Sequence, residues 1–170
     1  MNKKTSFISK FNAILFAGLL VFVLLFPAQR VSAKRPPEIR NQDELKISAD
    51  MHGQDLSGND FVKLNLKGID FSESNLTGAV FNNSKLKDAD MHGAQLNDSL
   101  AYASDFEGAD LRDVDFTGAL LMESTFTNAL IEGADFTDAV LSRIQQKQLC
   151  SIASGTNSKT EVSTTYSLGC

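Results

Sequence analysis

Residues 104–123 read SDFEGADLRDVDFTGALLME and contain four five-residue units, each centred on a phenylalanine or a leucine. Extending this register in both directions gives 19 centres between Met51 and Leu141, and 18 of these centres are large apolar residues. The exception is Ala101. Every phenylalanine after residue 33 lies at a centre, and we predict that these residues form the ladders of the core: Phe61, Phe71, Phe81, Phe106, Phe116, Phe126 and Phe136.

The positions before each centre are also regular. Two residues before it, 14 of 19 positions are Ala or Ser, and one residue before it, 11 of 19 are Asp or Asn. A period of five matches neither the 3.6-residue period of a helix nor the two-residue period of a strand. The large and the small residue, two positions apart, point to the same side of a short extended segment, and the polar positions suit a corner. Because one such coil cannot bury its own core, the pattern predicts stacked coils.

The units resemble the pentapeptide-repeat family, whose consensus is Ala-(Asp/Asn)-Leu-x-x. Residues 109–113 (ADLRD) and 134–138 (ADFTD) match this consensus as they stand. The resemblance implies an all-β solenoid, a right-handed quadrilateral β-helix with four units per coil and between four and five coils over residues 49–143. With 20 residues per coil, we expect three stacked pairs of rings, namely Phe61 with Phe81, Phe106 with Phe126, and Phe116 with Phe136.

One point in the repeat is irregular. The centre Ala101 is small, and Leu100 stands where the other units mostly have Asp or Asn. We therefore expect a bulge or a loosened corner at Leu100-Ala101, which is either a packing adjustment or part of a binding site.

The C-terminal residues 144–170 are expected to cap the open end of the solenoid, since unpaired backbone at an end favours aggregation. Ser142 and Gln145 match a capping box, which predicts a helix that runs to about Ala153. We expect its apolar face, formed by Leu141, Ile144, Leu149 and Ile152, to lie against the last coil.

The two cysteines are Cys150 and Cys170. An even pair is typical of a disulfide if the chain is exported, as the N-terminal residues described below indicate. A two-cysteine metal site lacks further ligands, because the histidines lie far away at His52 and His92. The sequence therefore predicts a Cys150–Cys170 disulfide within the cap.

The sequence of the C-terminal tail makes the resemblance more specific within the family. Residues 149–157 (LCSIASGTN) and 167–170 (SLGC) resemble the C-terminus of the thylakoid-lumen pentapeptide-repeat proteins of chloroplasts and cyanobacteria. This resemblance implies a protein of the thylakoid lumen, which is an exported compartment.

The N-terminus has the organisation of a secretory signal peptide at residues 1–33. Lys3, Lys4 and Lys10 precede an apolar run of 14 residues, and Ala33 ends a small-residue cleavage site. The alternative is an uncleaved membrane anchor, which needs about 20 apolar residues. Residues 34–48 are then a short lead-in to the first coil, and the signal peptide indicates a cyanobacterial thylakoid lumen or periplasm.

Charge and motifs exclude several classes of function. Residues 34–170 hold 12 basic and 21 acidic residues, a net charge of −9, so nucleic acid and anionic lipid are unfavourable partners. His52 and His92 lie two coils apart, ~10 Å at the spacing of β-strands, too far to ligate one metal ion. We predict no catalytic residue, no metal and no cofactor, and no stable membrane anchor after cleavage.

Two functions remain. The first is a non-enzymatic scaffold that presents flat faces to a protein partner in an exported compartment. The second is a DNA mimic that inhibits a type II topoisomerase, as the resemblance to some family members implies. Residues 49–143 hold 17 acidic and six basic residues, so their net charge of −11 does not exclude mimicry, but the export signal opposes it. The residues do not distinguish a monomer from an end-to-end dimer.

Overall fold

A computed structural model describes residues 50–170, so the predicted signal peptide and the lead-in lie outside the described residues. Parallel bridges join the residue before each centre to the residue 20 positions later, from the pair Asp50 and Asp70 to the pair Leu120 and Val140. A 20-residue repeat places four five-residue units in each coil and gives the solenoid four sides. Each side pairs through single bridge residues, and the described coils contain no longer strand.

The same hydrogen-bond pattern repeats at the corners from Met51 to Phe116, with the corner of Ala101 as the exception. The Phe81 N–H donates to the Leu100 carbonyl of the next coil at 2.7 Å, and the Asn83 N–H donates to the Tyr102 carbonyl at 2.9 Å. Within the corner, the Ser84 N–H donates to the Phe81 carbonyl at 2.9 Å, and Asn83 has a φ of 60°. A positive φ at the third residue is typical of a type II turn and favours glycine or asparagine there. This preference explains the register of the glycines.

The centres point inward and fill the solenoid. The rings of Phe61 and Phe81 stack with centroids 4.8 Å apart, and Phe71 meets both rings edge-on. In the second half the stacked pairs are Phe106 with Phe126 and Phe116 with Phe136, each with centroids 5.3 Å apart.

Phe126 differs from the other phenylalanines because it is only half-buried. Phe126 and Phe136 both belong to the last units of their sides, next to the C-terminal cap. The cap buries Phe136 but leaves a cavity beside Phe126 that Gln145, Leu149 and Ile152 also line. The other six phenylalanine centres are at most 2% exposed.

The expected irregularity at Leu100-Ala101 is correct for the corner and wrong for the ladder between coils. At this corner the Ser104 N–H donates to the Ser124 hydroxyl at 2.9 Å, where the other described corners have a bond to the carbonyl of their own centre. The Ala101 N–H donates to the Leu120 carbonyl at 2.9 Å, and the Leu100 N–H donates to the Ala79 carbonyl at 2.9 Å, as at the equivalent positions of other coils. These bonds use backbone groups only, so a small centre does not disturb them. Leu100 occupies an outward position and does not enter the core.

The cap contains two short helices. Helix α1 covers Arg143–Cys150 and helix α2 covers Thr164–Ser167. The capping box is present at α1: the Gln145 N–H donates to the Ser142 hydroxyl at 3.3 Å, and the Ser142 N–H donates to the Gln145 side-chain oxygen at 2.8 Å. Helix α1 ends three residues before the predicted Ala153.

The predicted apolar face of α1 is only partly correct. Leu149 is buried, but Ile144 and Ile152 are exposed. Gln145 takes the buried position instead, and its amide nitrogen donates to the carbonyls of Leu121 and Ser124, both at 2.8 Å. A polar side chain is favoured at this position because the last coil ends in carbonyl groups that need donors.

The tail after α1 returns along the solenoid. A disulfide joins Cys150 and Cys170, with Cα atoms 5.6 Å apart. The Asn157 side chain is buried and donates to the Asp113 carbonyl at 3.1 Å. The ammonium group of Lys159 reaches further, to the Glu73 carboxylate at 2.7 Å. The tail thereby contacts units that lie far from it in sequence.

Candidate interaction surface

The four sides of the solenoid are named here by the centres that build them. Face 1 carries Met51, Phe71, Met91, Leu111 and Ile131, and faces 2, 3 and 4 begin at Leu56, Phe61 and Leu66. On every face the residues one before and one after a centre point outward, because neighbouring residues of an extended segment alternate in direction.

The recurring aspartates of faces 1 and 2 have a structural role. The Asp70 carboxylate accepts the Ser72 N–H at 2.9 Å, and the same two-residue bond occurs at Asp110, Asp115 and Asp135. The hydroxyl and N–H of Ser72 hold the pKa of Asp70 below its ordinary value. Each of these carboxylates accepts a hydrogen bond within its own turn, which explains why aspartate recurs at this position without a catalytic role.

The two histidines make separate contacts. The Nδ1 atom of His52 lies 2.9 Å from the Ser72 hydroxyl, whereas His92 lies between the carboxylates of Glu73 and Asp113, at 3.9 and 3.7 Å. Within residues 50–170, no group of three His, Cys, Asp or Glu side chains is arranged to hold a metal ion.

Face 3 differs from the other faces in its outward residues. Val80, Leu100, Leu120 and Val140 stand above one another in one ladder of bridges, at the position that holds mostly Asp or Asn elsewhere. Val80 and Leu100 are half-buried, whereas Leu120 and Val140 are exposed.

Two further apolar side chains widen this ladder. Tyr102 and Met122 lie one residue after their centres on face 3, and each is 43% exposed, as is Leu120. A contiguous group of exposed apolar side chains, unlike single ones, marks an interaction surface. We call the group of Leu100, Tyr102, Leu120, Met122 and Val140 the apolar strip.

Charged residues border the apolar strip on both corners. Asp98 and Asp138 lie on the preceding corner, Glu123 and Arg143 lie on the following corner, and all four are exposed. The Tyr102 hydroxyl donates to the Glu123 carboxylate, and this bond raises the pKa of Tyr102 above its ordinary value. The border is therefore mainly acidic.

The repeat, the 20-residue register and the polar corners agree with one family. The family profile described as Pentapeptide repeats matches eight copies in residues 65–100 and 104–143. A pentapeptide repeat protein of the Arabidopsis thaliana thylakoid lumen is 37% identical, with 70% of this chain and 90% of that chain covered and a TM-score of 0.29. This chain belongs to the pentapeptide-repeat family. Members of the family fold as right-handed quadrilateral β-helices.

Two other solved structures are similar at lower identity. HetL, a pentapeptide repeat protein involved in heterocyst differentiation regulation in the cyanobacterium Nostoc, is 23% identical; 55% of this chain and 41% of HetL are covered, with a TM-score of 0.36. QnrB1, a plasmid-mediated fluoroquinolone resistance protein, is 19% identical; 53% of this chain and 54% of QnrB1 are covered, with a TM-score of 0.41. No curated protein matches the chain.

The apolar strip was not predicted as a surface. Leu100 was predicted to be an anomaly of one unit, although Val80, Leu120 and Val140 share its register at 20-residue intervals. Comparing the residues before the centres in steps of 20 identifies the strip from sequence.

Proposed function

We propose that this pentapeptide-repeat protein is a non-enzymatic scaffold that binds a protein partner through face 3 in an exported compartment, the thylakoid lumen or the periplasm of a cyanobacterium. The apolar strip carries this proposal, because it is an exposed apolar group on a solenoid whose other outward positions are mostly polar. The filled core supports a role without catalysis, since the described phenylalanine centres leave no room for a substrate inside the coils.

The proposed compartment rests on separate observations. Residues 1–33 have the composition of a signal peptide, and the similar Arabidopsis protein comes from the thylakoid lumen. Within residues 50–170, neither helix is both long and apolar enough to cross a membrane. N-terminal sequencing of the protein from fractionated cells tests this part: we expect a chain that begins at Lys34 in the lumenal or periplasmic fraction, and an intact Met1 in the cytosol would contradict it.

Site-specific photo-crosslinking in the living cell tests the binding role. A photoreactive residue is placed at Leu120 on face 3 or at Leu130 on face 1, two exposed leucines in the same register. We expect a defined protein adduct from position 120 and none from position 130. No adduct at either position, or equal adducts at both, would remove the support for a partner on face 3.

The DNA mimic remains the second candidate because of the net charge of the repeats, −11 from 17 acidic and six basic residues in 49–143. Duplex DNA carries one charge per ~1.7 Å, a similar density for a rod of ~20–25 Å. The apolar strip opposes this candidate, since it interrupts the charged surface along one side. Gyrase supercoiling assays decide between the two: inhibition at micromolar protein would favour the mimic, and its absence would end this alternative.

A further inference from the structure

The apolar strip has the shape and the charge border of a binding site for one amphipathic helix. We propose that it binds an α-helix of a protein partner, with an apolar stripe facing the strip and Lys or Arg on both sides of that stripe. This inference rests on the proposed function, because it names the kind of partner segment that face 3 accepts.

The spacing of the strip supports a helix. Successive rungs of stacked coils are ~4.8 Å apart, and one turn of an α-helix rises ~5.4 Å. Leu100, Leu120 and Val140 occupy three successive rungs of one ladder. A helix that lies along the ladder therefore places side chains at i, i+3 or i+4, and i+7 over successive rungs. Tyr102 and Met122 form a second row parallel to the first, which gives the stripe two rows to contact.

An extended peptide fits less well. Addition of a strand needs an unpaired backbone edge. On face 3 the backbone groups around the strip already bond between coils, for example Leu120 N–H to the Ser99 carbonyl at 2.9 Å and Ala103 N–H to the Met122 carbonyl at 3.0 Å. A partner segment that satisfies its own backbone groups, as a helix does, is the compatible one.

The charges at the border of the strip favour a positively charged partner. Asp98, Asp138 and Glu123 are exposed beside the strip, and Arg143 at its end is the single cation among these four border residues. Acidic borders attract Lys and Arg at the sides of a helix and repel the anionic headgroups of a membrane. A second copy of the chain would bring two acidic borders together, and like charges that meet across an interface oppose binding.

The test uses the purified protein and a synthetic probe. The probe is a fluorescein-labelled peptide of about 16 residues, ~24 Å as a helix, with leucines at i, i+3, i+4 and i+7 and flanking lysines. Binding is followed by fluorescence anisotropy and by the gain of helical circular dichroism. One control probe has the same residues in a scrambled order, and another has glutamate in place of lysine.

The matched protein variants are Leu120→Lys on face 3 and Leu130→Lys on face 1. Both replace an exposed leucine in the same register by the same charge, so a general electrostatic effect changes both equally. We expect saturable micromolar binding of the probe with a gain of helix, about tenfold weaker binding to Leu120→Lys, and unchanged binding to Leu130→Lys. Equal melting temperatures of the two variants show that both remain folded.

Several results would overturn the inference. They are no saturable binding at 200 µM protein, equal weakening by the two variants, equal binding of the scrambled probe, and binding without a gain of helix. Two further results would overturn it in favour of another occupant: binding to anionic vesicles that depends on Leu120, or a dimer in sedimentation that Leu120→Lys dissociates. If the probe does not bind but a photo-crosslinked protein adduct forms at position 120, the helical partner segment is refuted and the proposed function remains intact.

Discussion

The coils and the C-terminal cap both supply hydrogen-bond partners to backbone groups, but they do so in different ways. In the coils, backbone N–H groups of one layer bond the carbonyls of the next at 20-residue intervals. At the last coil no further layer follows, and side chains replace the missing donors. The difference shows that the coils depend on a repeated local pattern, whereas the cap depends on single contacts.

Gln145 illustrates this replacement. Along one corner, the Ser104 hydroxyl donates to the Phe81 carbonyl at 2.8 Å, and the Ser124 hydroxyl donates to the Ala101 carbonyl in the same way. The next carbonyl of this series, that of Leu121, receives the amide of Gln145. One glutamine thus continues an inner ladder of serines across the boundary between coil and cap.

The largest predicted effect compares a core ring inside the coils with a core ring next to the cap. Phe81→Ala removes a ring packed between two others and should lower the free energy of unfolding by about 3–5 kcal/mol. Phe126→Ala removes a half-buried ring next to the cap and should lower it by less. Urea denaturation measures both values. Equal losses would mean that the cap covers Phe126 as completely as a coil does.

The next effect concerns the Cys150–Cys170 disulfide. Its loss should lower stability by up to about 3 kcal/mol, because the crosslink restricts the unfolded chain over a loop of about 20 residues. We expect the cap to exchange its amide hydrogens faster after reduction, while the amides around Phe81 keep their protection. Thermal unfolding that is the same with and without reductant would contradict this prediction.

A third prediction tests whether the Gln145 side chain replaces the backbone N–H donors that a further coil would supply. Gln145→Leu keeps the size of the side chain but removes the donor of the Ser124 carbonyl and one of the two donors of the Leu121 carbonyl, which should cost about 2 kcal/mol. Gln148→Leu in the same helix is the control, since that side chain is exposed. Chemical denaturation of both variants should show a loss at position 145 only, and similar stabilities would refute this role for Gln145.

The smallest predicted effect concerns an ion pair on the outside of the coils. The Arg112 guanidinium bonds the Asp110 carboxylate and lowers the pKa of Asp110. A lowered carboxyl pKa adds stability above the pKa of the unfolded chain, about 3.9, and this stability disappears as the pH falls through the folded value. In Arg112→Gln, the fall in melting temperature from pH 5 to pH 2.5 should therefore be smaller than in the parent. Arg143→Gln, with the same change of charge, should retain the full fall.

Much of the fold follows from local pattern. The five-residue register identifies the centres, because the direction of a side chain on a short extended side is a local property. The 20-residue coil was implied by the family resemblance, and the stacked ring pairs follow from it. The same register also contains the apolar strip, although only a comparison in steps of 20 reveals it. No bulge forms at Ala101, because the bonds between coils use backbone groups, but its corner lacks the usual turn bond and the Ser124 hydroxyl accepts the Ser104 N–H instead.

The structure of the cap was predicted only in part. The capping box is readable because its two residues are three positions apart. The buried amide of Gln145 and the exposure of Ile144 and Ile152 were not predicted, since both depend on which groups the last coil presents to the helix. The docking of Lys159 on Glu73 joins residues 86 positions apart and has no local signal.

The sequence by itself determined the centres and their direction, because these properties repeat and depend on near neighbours, and its resemblance to the family implied the coil of 20 residues. Only the tertiary structure decided how far Leu120, Val140, Tyr102 and Met122 are exposed beside their acidic border. It also decided where the tail crosses the coils. These features are contacts between coils and across the cap, and their energies depend on positions that the chain reaches only when the solenoid is assembled.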